Sequence, residues 1–399
     1  MTVDPAKGLV TGTLRVEFRP DLPTDHLRFR LWPNAPPQAA EGAKLAVSDV
    51  KALHGHQLQI AGSDATTLLA FVKPELQPGD RISVSMAWRL RLPGAVLDRL
   101  ASAKDMAMIG SFFPILAWQP GVGWATDPPT TTLAEAGTSP TADFDVSIRT
   151  VPADLTVLAT GEEVKPGRWR AEAVRDVAVA VGRFRLARTD VSLPDPVRIT
   201  VGVREGLTLT PDALARRVKA TLSDLSSSYG PYPWPTFTLA ILPNVGRSGI
   251  EYPNFVFEGP DGIDRVTTHE LGHQWFYSLV GNDQAQSPWL DEALATYVAG
   301  RRDGFLDFFR FQRIQGVAAN HVGSPMSFWD LHPDEYQLGV YFRGVQALLA
   351  LGPARLIDCA LRSYVARNAY EIAEPDDLLD ALSTQFPDAR ETLLRFGIS

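Results

Sequence analysis

Cysteine is almost missing from this chain: Cys359 stands alone among 399 residues, so no internal disulfide forms and the redox compartment stays open. A single thiol without a matched partner is not a nucleophile, and the pattern predicts it buried in a C-terminal helix. No run of about 18 apolar residues occurs, so nothing is long enough to span a membrane as a helix. The opening MTVDPAKGLVTG lacks the apolar core of an export signal, which leaves the cytosol, or a leader removed before the numbering begins. Positive charge is not in excess either. A net charge of −8 and a pI near 5.4 argue against nucleic acid or an anionic membrane surface as main partner. A cationic group on a small ligand is compatible with that balance. Also absent are a GxxxxGK[ST] loop, a dinucleotide fingerprint and a GxSxG elbow, since Ser248 sits in VGRSGIE. Nucleotide binding and serine hydrolysis therefore have no support. There are no internal repeats and no low-complexity segments.

What is present reads as an ordinary globular chain, 45% hydrophobic and 21% charged, with length for two to three domains. The first half alternates at period two. Leu14, Val16 and Phe18, then Leu27, Phe29 and Leu31, then Ile82, Val84, Met86, Trp88, Leu90 and Leu92 each read as strands, as do Phe144, Val146 and Ile148. Turn-forming PNAPP, QPGD and DPPT separate them. The one helical period here is a short stretch near 94–104. Near residue 205 the pattern changes: PDALARRVKATLSDL places Leu214, Val218, Leu222 and Leu225 on one helix face. A strand follows at 236–242, and helical segments dominate thereafter, so a β domain precedes a mostly α domain with a small sheet. Trp118 and Trp124 read as core packing, and His54-Gly55-His56 as a solvated turn.

The chemistry concentrates in DRVTTHELGHQWFYSLVG. On a helix His269 and His273 stand one above the other, with β-carbons roughly 5–6 Å apart, so both imidazoles reach one cation. Glu270 is rotated by about 100° and hangs beside that cation, where a general base for an attacking water belongs. Eighteen residues separate His273 from Glu292 in PWLDEALATYVAG, a second helix-like segment that can return a carboxylate to the two histidines. Two His and one Glu leave a fourth position open, which is the arrangement of catalytic rather than structural zinc.

HELGH followed by WLDEALATY resembles the gluzincins of the aminopeptidase N and leukotriene hydrolase family. Asp291 and Ala293-Leu294 depart from the family's usual residues around Glu292, and neither departure is expected to touch a ligand. The family's GAMEN-like segment is matched by Gly249-Ile250-Glu251-Tyr252-Pro253, with its acid as Glu251 and its Asn replaced by Tyr252. Its Tyr-x-Lys-Gly is matched by Tyr341-Phe342-Arg343-Gly344, and YGPYP at 229–233 and the stretch 143–162 resemble family segments too. The resemblance implies a saddle-like all-β domain, here 1–204, followed by a thermolysin-like, mainly α catalytic domain with a small sheet, here 205–399. It implies one zinc ion on His269, His273 and Glu292, with Glu270 as base and Tyr341 donating to the oxyanion. Tyr336 is equally near in sequence. Glu251 would pair with the substrate's α-ammonium, while Gly249 and Ile250 would offer backbone groups to an extended peptide. The implied activity is a zinc metalloaminopeptidase acting on peptides with a free N-terminus. The family's further C-terminal helical domain has no counterpart before Ser399, so an open-cleft endopeptidase or oligopeptidase is the alternative, and a non-catalytic binding scaffold a third reading.

Overall fold

The computed structural model describes residues 1–61, 64–94, 99–132 and 137–399. The chain packs as two compact units, Met1–Phe184 and Arg185–Ser399.

The first unit is built from the alternating segments. Leu9–Phe18 pairs antiparallel with Ile82–Arg91 along its whole length, from Leu9 opposite Arg91 to Phe18 opposite Ile82. Lys44–Ala52 flanks the same strand on its other edge. A second sheet pairs Thr24–Arg30 with Thr67–Leu76, and a third joins Thr156–Ala159, Val179–Gly182, Met106–Ile109 and Leu100–Ala103. Period-two patterning turns one face of each strand inward, so Val10, Phe29, Val84, Met86, Leu90 and Val179 share one buried core. Its longest helix among the described residues is α1, Pro36–Ala40. The helical stretch expected near 94–104 is corrected: Leu100–Ala103 is a strand paired with Met106–Ile109, and 95–98 lie outside the described residues. The mixture of Leu and Ala there fits either element, and pairing decided it. Trp118 and Trp124 stack edge to face at 4.8 Å across a short ribbon and pack into this core.

The second unit holds a five-stranded sheet in the order Phe184–Ser192, Pro196–Arg204, Thr236–Ile241, Phe255–Glu258, Gly249–Tyr252. The first of these strands begins on the last residue of the other unit. The boundary expected at 204/205 therefore lies later than the packing division, because periodicity marks where helices start, not where a strand finds its partner. Pro196–Arg204 pairs in parallel with Thr236–Ile241. That sheet leaves Gly249–Tyr252 as an edge strand. Around it run α2 (Pro211–Tyr229), α3 (Ile263–Gly272), α4 (Trp289–Asp303), α5 (Leu306–Arg310), α6 (Met326–Trp329), α7 (Gly344–Leu351), α8 (Ala354–Asn368), α9 (Pro375–Ser383) and α10 (Ala389–Leu394). Leu214, Val218, Leu222 and Leu225 form the buried stripe of α2, as their spacing required. Cys359 sits on α8 as expected, but on its exposed face, so the buried thiol is corrected. No single helix among the described residues is long and apolar enough to cross a membrane.

Candidate metal centre

The two histidines stand at the end of α3. Ile263–Gly272 is helical and His273 caps it, its N–H still donating to the His269 carbonyl at 3.2 Å, so the i,i+4 stacking survives to the last turn. The helix does not continue through HQWFYSLVG: the chain turns at Trp275–Tyr277, where Tyr277 adopts φ 118°. Buried Trp275 and Phe276 anchor that turn. Close contact between α3 and α4 is permitted by Gly272, whose β-position lies 3.3 Å from the backbone of Ala295.

Glu292, in the first turn of α4, completes the group. His269 Nε2 and His273 Nε2 are 3.0 Å apart, and Glu292 Oε2 lies 3.1 Å from the first and 3.5 Å from the second. Ligands held at zinc bond lengths in a tetrahedron are spaced about 3.3 Å from one another, so this donor set fits one such ion. His273 Nδ1 faces two acceptors, Asp291 Oδ1 at 2.5 Å and the Phe276 carbonyl at 3.2 Å. It therefore carries the ring hydrogen, and Nε2 turns a lone pair toward His269 and Glu292.

Asp291 is the residue whose role the sequence reading missed. It was expected to touch no ligand; instead it orients His273 and is itself held by Gln284 Nε2 at 2.9 Å. A buried acid beside a ligand on a helix start was the available signal. Burial pushes its carboxyl up to about 6 against the pull of His273. Thr296, one turn beyond Glu292, places its hydroxyl 3.4 Å from His269 Nδ1. Gln274 was also unforeseen. Its amide donates to the Tyr252 carbonyl at 3.0 Å and accepts from Asn254 N–H at 2.8 Å, tying the edge strand to the end of α3.

Through that tie Glu251 comes to the same place: ligand atoms of Glu251, Glu270 and His273 lie within 4.8 Å of one another, all three side chains buried. Burial drives the Glu270 carboxyl well above the usual range; Glu251 and Glu292 add repulsion, and His273 opposes it. Gly249 lies directly against Glu270, since a β-carbon there would fall 2.4 Å from its carboxyl carbon. Ile250 is buried between Gly249 and Glu251 on the edge strand. Tyr341 lies in a π-helical segment, Gln337–Arg343, and stacks on His269 with ring centres 5.9 Å apart. Tyr336 packs on Tyr341 and Trp329 instead. Arg343 turns away, donating to the Ala319 carbonyl at 2.7 Å.

No protein-family profile matches the chain. Leukotriene A-4 hydrolase of Xenopus laevis is 27% identical over 191 residues, covering 41% of this chain and 31% of that protein. Leucine aminopeptidase 2 of Aspergillus oryzae is 28% identical over 178 residues, or 40% of this chain and 28% of that protein. The matched stretches thus span about a third of those relatives' own length. The crystal structure of an M1 zinc metallopeptidase from Deinococcus radiodurans, bound to a Tyr-Ser-Ala substrate as a variant, superposes over 100% of this chain and 92% of its own. Its TM-score is 0.72, at 19% identity. A second structure of an M1 zinc metallopeptidase from Deinococcus radiodurans gives a TM-score of 0.72 as well. The chain is thus similar in part to leukotriene A-4 hydrolase and leucine aminopeptidases, as the aminopeptidase N and leukotriene hydrolase resemblance implies, and has the fold of the M1 zinc metallopeptidases.

Proposed function

We propose that this chain is a zinc metallopeptidase of the aminopeptidase type, with one zinc ion on His269, His273 and Glu292. The observation that carries the reading is the spacing of the three donor atoms, 3.0 to 3.5 Å, beside the buried Glu270. A zinc ion held there supplies a Lewis acid for the scissile carbonyl and makes water nucleophilic near neutral pH. Glu270, buried beside the donor set, takes the proton of the attacking water and returns it to the departing amine. Tyr341, stacked over His269, donates its hydroxyl to the developing oxyanion. Glu251 pairs with the α-ammonium of the peptide, so that the first peptide bond is the one presented. Gly249 and Ile250, on an edge strand, offer backbone groups to an extended substrate. The relative solved with Tyr-Ser-Ala is consistent with peptides as the substrate class.

Hydrolysis of a peptide and of its N-acetylated twin, each with and without a chelator, tests this. The free peptide is expected to turn over and the blocked one not, with activity lost to the chelator. Equal rates for the pair would move the reading to an endopeptidase; no turnover of either with zinc bound would leave a binding scaffold. Glu270→Gln is expected to keep zinc and lose activity by about three or more orders of magnitude, since only the base is removed.

A further inference from the structure

Behind Glu270 lies a second buried acid. Glu258 ends the strand Phe255–Glu258 and is fully buried. In the antiparallel pairing it stands directly opposite Gly249, so both project to the same face of the sheet. That face meets α3, because the β-position of Gly249 abuts the Glu270 carboxyl. Glu258 reaches the same helix one turn earlier: its Oε1 lies 2.8 Å from Thr267 Oγ1. Thr267 and Glu270 are three residues apart and share a helix face.

The hydrogen bonds there bear on where a proton sits. Thr267 Oγ1 is also 2.7 Å from the Ile263 carbonyl. A hydroxyl has one hydrogen and cannot serve two acceptors fully. Both contacts of Thr267 are served when Glu258 bears a proton and donates it to Thr267, which donates its own to Ile263; Glu258 Oε2 is buried without a hydrogen-bond partner, which costs a neutral carboxyl less than a carboxylate. Burial acts the same way, raising the Glu258 carboxyl to about 8 against weaker pulls from Thr267 and Arg217. Arg217 of α2 is engaged by Asp264 at 3.1 Å. The same face of α3 carries Asp264, one turn before Thr267, and Glu270, one turn after it.

We propose that Glu258 is a positioning residue for Glu270, a proton-bearing carboxyl that seats α3 on the sheet through Thr267. It keeps the Glu270 carboxyl against Gly249. Its kinetic consequence rests on the peptidase reading; its protonation does not.

Three variants test it. Glu258→Gln keeps shape and a donor to Thr267, and is expected to retain kcat within about threefold. Glu258→Leu removes the donor, and Thr267→Val removes the acceptor from the helix side. Each is expected to lower kcat by about tenfold or more with KM and zinc content unchanged, the scale of one lost buried hydrogen bond. In metal-free protein, the melting temperature of wild type relative to Glu258→Gln is expected to fall as pH rises from about 5 to about 8. The unfolded chain ionises Glu258 first, whereas the folded protein holds its proton to about pH 8. A Glu258→Gln loss as large as that of Glu258→Leu would overturn the proposal, because an ionised carboxylate would then be what the site needs. Parallel melting curves for the two proteins across that range would overturn it too, as would unchanged kcat in Thr267→Val. Should Glu258→Leu not fold, Thr267→Val and the melting comparison decide alone. An inactive wild type would refute the peptidase reading and leave the melting comparison to decide this one.

Discussion

His273 illustrates how far one side chain depends on its neighbours. Its Nε2 is a ligand-grade lone pair only because Nδ1 is committed to Asp291 and the Phe276 carbonyl, and Asp291 is held by Gln284. Orienting carboxylates of this kind typically alter metal affinity by about 10- to 100-fold when removed. Asp291→Asn is therefore expected to weaken zinc binding by that order, measured by competition with a chromogenic chelator, without unfolding the protein. The amide can still accept through its oxygen but brings no charge, and equal affinity in the variant would remove Asp291 from the site. The histidine pair, Glu270 and Glu292 were legible as residue types at fixed spacing. Asp291 and Gln274 were not, because their importance lies in hydrogen bonds between segments far apart in sequence.

At the scale of elements, the site is a joint between helix ends and an edge strand. His269 and His273 stand on the last turn of α3 and Glu292 on the first turn of α4, so close approach of the helices sets the geometry. Glycines at the contacts make that approach possible. Gly344, at the start of α7, has its β-position 2.4 Å from the Ala293 β-carbon, the residue after Glu292. Gly344→Ala is expected to cost about 1–3 kcal/mol of stability by overpacking, read from denaturant unfolding. A neutral result would mean that α7 and α4 separate without strain. The edge strand Gly249–Tyr252 is fastened by Gln274 to the other end of the same joint, which brings Glu251 to the histidines. Period-two and helical periodicity located most of these elements. They did not end α3 at Gly272, since the aromatic run after it is as acceptable in a helix as in the turn that buries Trp275 and Phe276.

At the scale of the molecule, each unit carries its own buried polar device. In the first, Asp176 is enclosed, accepting from Ser111 Oγ at 2.7 Å and from the Val177 N–H at 2.6 Å. Burial raises its carboxyl to about 6 despite those bonds and the more distant Arg99. A folded-state value above the unfolded one means stability present at low pH and lost as pH climbs from about 4 to about 6. The loss is of order 3 kcal/mol at most. Asp176→Asn is expected to flatten that part of the pH–stability curve, checked by thermal unfolding between pH 4 and pH 7; an unchanged slope would show that Asp176 ionises at its ordinary value.

The sequence alone determined the strand-rich first half, the helical second half and the identity of the candidate zinc ligands. Those depend on periodicity and on residue chemistry at short spacing, which a chain carries wherever it folds. Tertiary structure decided the rest. It joined Phe184–Ser192 and Pro196–Arg204 to the second unit's sheet, turned Cys359 outward on α8, and ended α3 beneath His273. It also set Asp291 against one ligand and brought Glu258 and Gly249 to the helix face of the candidate base. Each of these is a choice among partners distant in sequence, settled by which surfaces bury together and which polar groups then need hydrogen bonds.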